Sequence, residues 1–163
     1  MKLESMRELL LDELQDLHSA EVQITKALPK MVKTASNEAL KEAFNNHLKE
    51  TENQVQRLEK IFKHLKENPK GKTCEGMKGI LKEGEERIKE GGGPEVVDAG
   101  LISAAQRVEH YEIASYGSAR AYAEMLGEVE VVRLLEETLE EEKAADQKLT
   151  KLSGRINQQA KAA

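Results

Sequence analysis

The sequence predicts an all-α protein in which four long helices form a bundle. The first observation is the composition: of the 163 residues, 39% are hydrophobic and 34% are charged, with Glu, Lys, Leu and Ala dominating. That mixture is typical of long amphipathic helices. The second is that apolar side chains recur every three or four residues over long stretches, which is the spacing of one helix face. A chain of this length can bury a sizeable core, so we expect a single domain over residues 1–163.

The first long helix is predicted over about residues 2–35. Pro29 is expected to kink this helix or to weaken its last turns, because proline lacks the backbone N–H that an interior position donates. Glu21 lies in the middle of the inward row, where a carboxylate without a positive partner destabilises the fold by several kcal/mol. The row is formed by Leu10, Leu14, Leu17, Glu21, Ile24, Leu28, Met31 and Ala35.

A second long helix is predicted after a very short turn, from residue 38 to about residue 68. Ser36 and Asn37 are candidate N-caps, because their side-chain oxygens can accept hydrogen bonds from free backbone N–H groups. Asn68 and the proline after it end the helix. Its inward row is formed by Leu40, Ala43, His47, Glu50, Gln54, Leu58, Ile61 and Leu65.

The stretch from about residue 69 to residue 94 is predicted to be a crossover connection. It is rich in glycine, yet its apolar residues allow a short fifth helix over about residues 74–90. A third long helix starts at Pro94, a residue favoured at the first helical position, and ends at Gly127. A fourth spans about residues 128–157. The prediction is therefore two antiparallel helix hairpins joined by one long crossover.

Glu112 lies in the inward row of the third helix as Glu21 lies in that of the first. The row is formed by Leu101, Ala105, Val108, Glu112, Ser115, Ala119, Tyr122 and Leu126. Two isolated carboxylates at matching places in two long helices indicate a positive group between them. The simplest candidate is a pair of metal ions inside the bundle.

The candidate metal ligands include one inward acid on each long helix. These acids are Glu21, Glu50, Glu112 and Glu141. Glu109 lies one turn before Glu112, and His47 lies one turn before Glu50, so both can complete the shell. A carboxylate-rich shell with one or two imidazoles favours iron or manganese over zinc.

An ordinary structural role is the alternative for each candidate. Glu141 belongs to a run of acids, and Glu142 fits the inward stripe of the fourth helix almost as well, so the choice between the two stays open. Glu50 shares its row with polar side chains and could face solvent. His47 could be a core histidine that bonds to a backbone carbonyl or to Glu50. Tyr116 or Tyr122 could lie beside a metal, although packing is the commoner role for a helical tyrosine.

Several classes of protein are excluded by composition. The formal net charge is −5 and Lys is interspersed with Glu, so no basic face indicates nucleic-acid binding. A single cysteine, Cys74, excludes an internal disulfide framework and fits a reducing compartment. Charges interrupt the first eleven residues where a signal peptide would be apolar, and no stretch approaches the roughly 20 apolar residues of a membrane span. We expect a cytoplasmic protein.

Four segments of the chain carry a family signature. They are Ser-Ala-Glu at residues 19–21, His-Leu-Lys-Glu-Thr at 47–51, the run at 105–117 with Glu109-His110-Tyr111-Glu112, and the acidic run at 135–143 with Asp146. Over nearly the whole chain they resemble the YciE/YciF family of bacterial ferritin-like, stress-associated proteins. The resemblance implies a ferritin-like four-helix bundle, usually a homodimer, with a dimetal centre.

The chain departs from the wider ferritin-like pattern at one feature. That superfamily typically carries a lone Glu on the first and third helices and a Glu-x-x-His pair on the second and fourth. Glu21 and Glu112 keep the lone positions, but no histidine stands three residues after Glu50 or Glu141. The candidate imidazole, His47, precedes Glu50 instead. The carboxylate-rich site is kept while the usual imidazole positions are not.

The leading functional hypothesis is a protein that binds two metal ions between its helices, iron in preference to manganese. Such a protein would oxidise iron or handle peroxide in a stress response. The alternative is a metal-free helical interaction or structural stress protein, whose inward acids pair with buried Lys or Arg or stay protonated. An iron-storage cage is less favoured, because the surface and helix patterns of storage ferritins are not found in the sequence.

Overall fold

The computed structural model describes residues 3–163, and all the regular structure in that range is helical. The helices are α1 Met6–Thr34, α2 Glu38–Leu65, α3 Glu75–Glu90, α4 Pro94–Met125 and α5 Val129–Ala162. α1 and α2 form one hairpin and α4 and α5 form the other, with α1 packed against α4 and α2 against α5. The short α3 lies in the crossover and packs against α4 and α1. The predicted fold class is confirmed.

α1 begins with a capping box, which explains why it starts later than predicted. The Ser5 hydroxyl accepts a hydrogen bond from the backbone N–H of Glu8, and the Glu8 carboxylate accepts one from the backbone N–H of Ser5. This reciprocal pair satisfies two of the free donors of the first turn, so the helix begins at Met6. α1 then continues through Pro29 to Thr34.

Local interactions and backbone conformation define the two hairpin turns and the end of α2. The side chain of Asn37 caps α2 by accepting from the backbone N–H of Leu40. α2 ends at Leu65, earlier than predicted, because Lys66 adopts the left-handed conformation at φ 58°. Between α4 and α5, Gly127 has φ 71°, a region that glycine enters without steric cost.

A buried aspartate joins the first hairpin to α4. Asp98 is 3% exposed, and its two carboxylate oxygens accept hydrogen bonds of 2.8 Å from the backbone N–H groups of Ser36 and Asn37. These donors belong to the α1–α2 turn, where no helical carbonyl is available to them. The carboxylate therefore holds the turn against the start of α4.

Replacing Asp98 by alanine is expected to reduce the free energy of unfolding by about 2–4 kcal/mol, because two backbone N–H groups of the turn lose a charged acceptor. Chemical denaturation of the purified variant measures this loss. Asp12→Ala is the matched control, since the carboxylate of Asp12 pairs with the exposed Lys72 and such pairs contribute at most about 1 kcal/mol. Equal losses in the two variants would show that Asp98 does not hold the turn.

The core consists of two apolar clusters on either side of a polar layer. The lower cluster, nearer the α1–α2 turn, includes Ile24, Leu28, Met31, Phe44, Leu101, Ala105, Val108 and Leu149. The upper cluster, nearer the α4–α5 turn, includes Leu10, Leu14, Leu17, Leu58, Ile61, Phe62, Tyr116 and Leu135. The predicted inward rows are buried with few exceptions, among them Glu50 in α2 and Leu126 at the end of α4.

None of the helices formed by residues 3–163 is both long and apolar enough to cross a membrane.

Candidate metal centre

Five ionisable side chains, here called the carboxylate layer, separate the two apolar clusters. They are Glu21, His47, Glu109, Glu112 and Glu142. Each of the four long helices contributes at least one of them, and none is more than 8% exposed. Charged residues are almost never buried to this extent unless they are paired. The layer is therefore the feature of the core that requires an explanation.

Helical periodicity places these side chains inside the bundle. Glu142 lies seven residues after Leu135 and seven before Leu149, both of which are buried, so all three share one helix face. Glu21 likewise lies between the buried Leu17 and Ile24. Because apolar neighbours on the same face pack into the core, these carboxylates cannot turn towards solvent without unpacking their helices.

Four members of the layer have donor atoms close enough to contact a single ion. One donor atom from each of His47, Glu109, Glu112 and Glu142 lies within 4.8 Å of the others. His47 Nε2 is 3.2 Å from Glu109 Oε1. Donors on opposite sides of one Mg²⁺-sized or Ca²⁺-sized ion are about 4–5 Å apart. The spacing of the four atoms fits a metal shell.

The layer contains many polar atoms that make no hydrogen bond. They are Glu21 Oε2, both ring nitrogens of His47, Glu109 Oε2, and both carboxylate oxygens of Glu112 and Glu142. Native proteins leave very few buried polar atoms unpaired. Among residues 3–163, no Lys or Arg forms an ion pair with any of these four carboxylates. Apart from the imidazole of His47, which belongs to the layer, no basic side chain of the described residues pairs with its four carboxylates.

Burial and mutual repulsion disfavour ionisation of the layer. Burial, followed by repulsion from Glu142, raises the pKa of Glu21 to about 8. Burial also raises the pKa of Glu109 and of Glu112 well above the usual range, and the neighbouring Glu142 adds to both effects. As carboxylates, these groups can only repel one another. A bound cation or retained protons must therefore neutralise them.

Tyr116 holds one member of the layer by a direct hydrogen bond. Its fully buried hydroxyl donates to Glu21 Oε1 at 2.5 Å. Burial and the nearby Glu21 charge raise the pKa of this phenol, so it stays protonated and remains a donor. The bond fixes the carboxylate while leaving Glu21 Oε2 without a partner.

Glu50, one of the predicted ligands, lies outside the layer. Its side chain is 48% exposed. Glu50 Oε2 lies 3.8 Å from His47 Nδ1, which is too far for a hydrogen bond. The buried face of α2 instead passes from His47 through Thr51 to Gln54. Either a step of three or a step of four residues from His47 agrees with helical spacing, and packing selects the step of four.

Glu141, the other predicted ligand outside the layer, is engaged by a cation. Arg57 donates to both of its oxygens, at 2.8 and 2.9 Å, and Gln54 donates at 3.0 Å. Burial opposes ionisation of Glu141, but the hydrogen bonds from Arg57 and Gln54 prevail and its pKa is lowered. Successive residues of a helix point about 100° apart, so Glu141 faces α2 while Glu142 points into the layer.

The sequence does not predict the role of Arg57 beside the layer. Arg57 also donates to Thr138 Oγ1 at 2.7 Å, so it links α2 to α5. One weak sequence signal exists: Arg57 is the only arginine in α2, and it lies next to the buried Leu58. No comparable feature of the sequence distinguishes its partner, Glu141, from the other glutamates of α5.

Comparison with known proteins agrees with the architecture. Residues 5–162 match the family model described as a domain of unknown function, DUF892. The chain is 44% identical to protein YciF of Escherichia coli K12, with 98% of each chain covered. The crystal structure of that stress protein superposes with a TM-score of 0.93 at 43% identity, over 96% of this chain and 99% of the other.

Two further solved structures share the fold. YcfI from Rhodopseudomonas palustris is 46% identical with a TM-score of 0.89, over 91% of this chain and 95% of the other. A protein from Xanthomonas campestris has a TM-score of 0.75 at 21% identity, over 93% of each chain, and this likeness concerns the fold alone. Because the family model spans nearly the whole chain, the protein belongs to the DUF892 family, and the resemblance to YciE/YciF proteins is confirmed.

Proposed function

We propose that this protein binds two metal ions in the carboxylate layer and that the native metal is iron or manganese. The observation that carries the proposal is the set of unpaired, buried oxygens on Glu21, Glu109, Glu112 and Glu142. Divalent cations would satisfy these atoms and neutralise their charge at once. No Lys or Arg of the described residues forms an ion pair with them, and the single imidazole of His47 faces four carboxylates.

The donor atoms divide naturally between two ions. His47, Glu109, Glu112 and Glu142 would hold the first, since their donor atoms already lie within 4.8 Å. Glu21 would hold the second together with Glu112 and Glu142, the neighbouring carboxyl groups that influence its pKa. Such sharing of carboxylates is usual in dimetal bundles.

The donor chemistry favours iron or manganese. Carboxylate oxygens with a single imidazole form a hard shell, whereas zinc sites more often use Cys and His. Two bound iron ions would supply one-electron chemistry towards oxygen or peroxide. The E. coli relative is described as a stress protein, and we extend that role to this chain as part of the proposal.

The protein's own contribution would be positioning and the exclusion of water. Tyr116 orients Glu21, while Arg57 and Gln54 hold Glu141 away from the layer and keep α5 in register with α2. The apolar clusters above and below the layer reduce the amount of water around it, which strengthens the electrostatic contacts inside.

Adjacent glutamates of α5 provide a direct test. We expect calorimetric titration with Mn²⁺ to give two ions per chain, and Glu142→Gln is expected to weaken binding by about 100-fold or more, since it removes a ligand. Glu141→Gln is expected to retain binding within about tenfold, because Arg57 already occupies that carboxylate. Glu140→Gln is the surface control, its carboxylate being paired with Lys143.

Two results would contradict the proposal. Folded, homogeneous protein that takes up neither Mn²⁺ nor, under anaerobic conditions, Fe²⁺ would exclude the metal centre. Loss of binding in Glu141→Gln with retention in Glu142→Gln would reject the ligand assignment.

The second candidate function is a metal-free structural protein. It is favoured by the pKa of about 8 for Glu21, which would let the layer persist as protonated acids linked by hydrogen bonds. The two candidates differ in how the layer contributes to stability with and without metal. The expected homodimer stays a prediction, and light scattering on the eluting peak of a sizing column measures it.

A further inference from the structure

A cavity of about 200 Å³ lies directly below the carboxylate layer, inside the lower cluster. It extends along α1 past Ile24, Leu28 and Met31, a distance of roughly 10 Å along the helix axis. Protein interiors are packed so closely that few voids exceed the size of a water molecule. Open space of this size beside an ionisable cluster therefore calls for an occupant.

Small side chains on all four long helices make this space. Ala27, Ala43, Ala105 and Ala145 line it, together with larger apolar residues such as Phe44. An ordered water needs two to four polar partners, which these apolar walls do not offer, so this part of the cavity favours an apolar occupant. The walls thus favour a ligand with an apolar body.

The upper end of the cavity is formed by members of the carboxylate layer. His47 and Glu109 line it, and both are more than nine-tenths buried. Both nitrogens of His47 and Glu109 Oε2 lack hydrogen-bond partners. The cavity therefore ends at unpaired polar atoms that belong to the proposed metal shell.

The opposite side of the cavity leads to solvent between α2 and α5. Glu50, Ala144 and Lys148 line this side, and all three are exposed. The described lining contains no buried Lys or Arg that could hold an anion inside. A charged molecule would lose its hydration against the apolar walls without compensation.

We propose that this cavity binds a small uncharged molecule with an apolar body, which enters between α2 and α5 and comes to lie against the metal centre. This inference rests on the proposed function, because it assigns the substrate class of that centre. A dry cavity of about 150 Å³ accommodates benzene, so this cavity accommodates about eight non-hydrogen atoms.

The experiment uses 1-heptanol as the probe and hexanoate as an anion with the same number of non-hydrogen atoms. In metal-free protein, we expect 1-heptanol to bind at least tenfold more tightly than hexanoate by calorimetry. In Co²⁺-loaded protein, 1-heptanol is expected to change the visible absorption of the metal. Its addition should also shift the methyl NMR signal of Met31, which lines the cavity, and leave those of the exposed Met6 and Met125 unchanged.

A matched pair of variants locates the binding site. Ala145→Leu extends a side chain into the cavity and is expected to weaken 1-heptanol binding at least tenfold. Ala114→Leu makes the same change on the exposed face of α4 and should alter the affinity by less than twofold. Both variants are expected to keep the metal stoichiometry of the parent protein.

The outcomes separate this inference from the proposed function. Absence of 1-heptanol binding, equal binding by Ala145→Leu, or an unmoved Met31 signal would overturn the cavity assignment, while the metal titration would still report on the centre. The NMR result stands on the parent protein if Ala145→Leu fails to fold. If the protein binds 1-heptanol but fails to take up metal in the titration, the cavity assignment stands, while the proposed function and the placement of a substrate against a metal are rejected.

Discussion

Glu112→Gln is expected to stabilise the metal-free protein and to remove most of the stabilisation that metal provides. Without metal, the substitution removes a fully buried carboxylate whose two oxygens both lack hydrogen-bond partners. At pH 8 the unfolding free energy is expected to increase, since burial raises the pKa of Glu112 well above its usual range and ionisation of this group in the folded state is therefore unfavourable. Thermal melts in the presence of a chelator measure this gain.

The effect reverses when metal is present. A ligand at 100 times its dissociation constant stabilises the native state by about 2.7 kcal/mol, which corresponds to roughly 5–10 °C for a domain of this size. The parent protein should show this rise with Mn²⁺ or anaerobic Fe²⁺, whereas Glu112→Gln should show little of it, because it lacks one ligand. Glu140→Gln, on the surface, should respond as the parent does.

This pair of measurements distinguishes the two candidate functions. If Glu112→Gln is more stable than the parent by the same amount with and without metal, the layer serves no metal and the structural alternative is favoured. If Glu112→Gln is less stable than the parent even in chelator, the buried carboxylate is held by contacts that the structure does not contain.

The second large effect is the pH dependence of the metal-free protein, which is expected to lose stability as the pH rises from about 4.5 to about 8. Unfolded glutamates release their protons near pH 4.5, whereas the pKa of Glu21 in the folded state is about 8. Within this window the folded state binds more protons than the unfolded state, so raising the pH favours unfolding by about 1.4 kcal/mol per pH unit for each extra proton. The raised pKa values of Glu109 and Glu112 act in the same direction.

Metal is expected to oppose this trend. Carboxylates must lose their protons before they coordinate, so metal affinity increases with pH. The stabilisation by Mn²⁺ should therefore be larger at pH 8 than at pH 5. Glu141, whose pKa is lowered, contributes a stability that is lost only below about pH 4.5, outside this window.

Urea unfolding at pH 5, 6, 7 and 8, with chelator and with Mn²⁺, measures both slopes. The double variant Glu21→Gln, Glu112→Gln is the control, and its metal-free stability should vary much less with pH. A metal-free protein whose stability is constant or increases over this range would show that the layer does not retain protons.

The helical phase explains which predictions of the site agree with the structure. In α1, seven apolar residues surround Glu21 at alternating steps of four and three, so one helix face is defined and every member of the row is buried. In α2, both Glu50 and Thr51 agree with the spacing from His47 to Gln54. The helix turns about 100° per residue, and that difference separates a solvent-facing acid from a buried hydroxyl.

A similar ambiguity occurs in α5, where the inward carboxylate belongs to a run of glutamates and cannot be identified from the run alone. Thr138 and Ala145 lie three or four residues from both Glu141 and Glu142, so these nearest neighbours on the helix face do not separate the two acids. Contacts with other helices distinguish the two side chains. Arg57 and Gln54 of α2 donate hydrogen bonds to Glu141, whereas Glu142 lies in the carboxylate layer.

Local periodicity and composition are thus sufficient for the helices, the hairpin topology and the isolated acids of α1 and α4, because each depends on the spacing of residues along one helix. The membership of Glu142, the Tyr116 bond to Glu21 and the cavity below the layer depend on side chains from different helices meeting in space. Such contacts arise only when the helices pack, since packing fixes their rotation relative to one another.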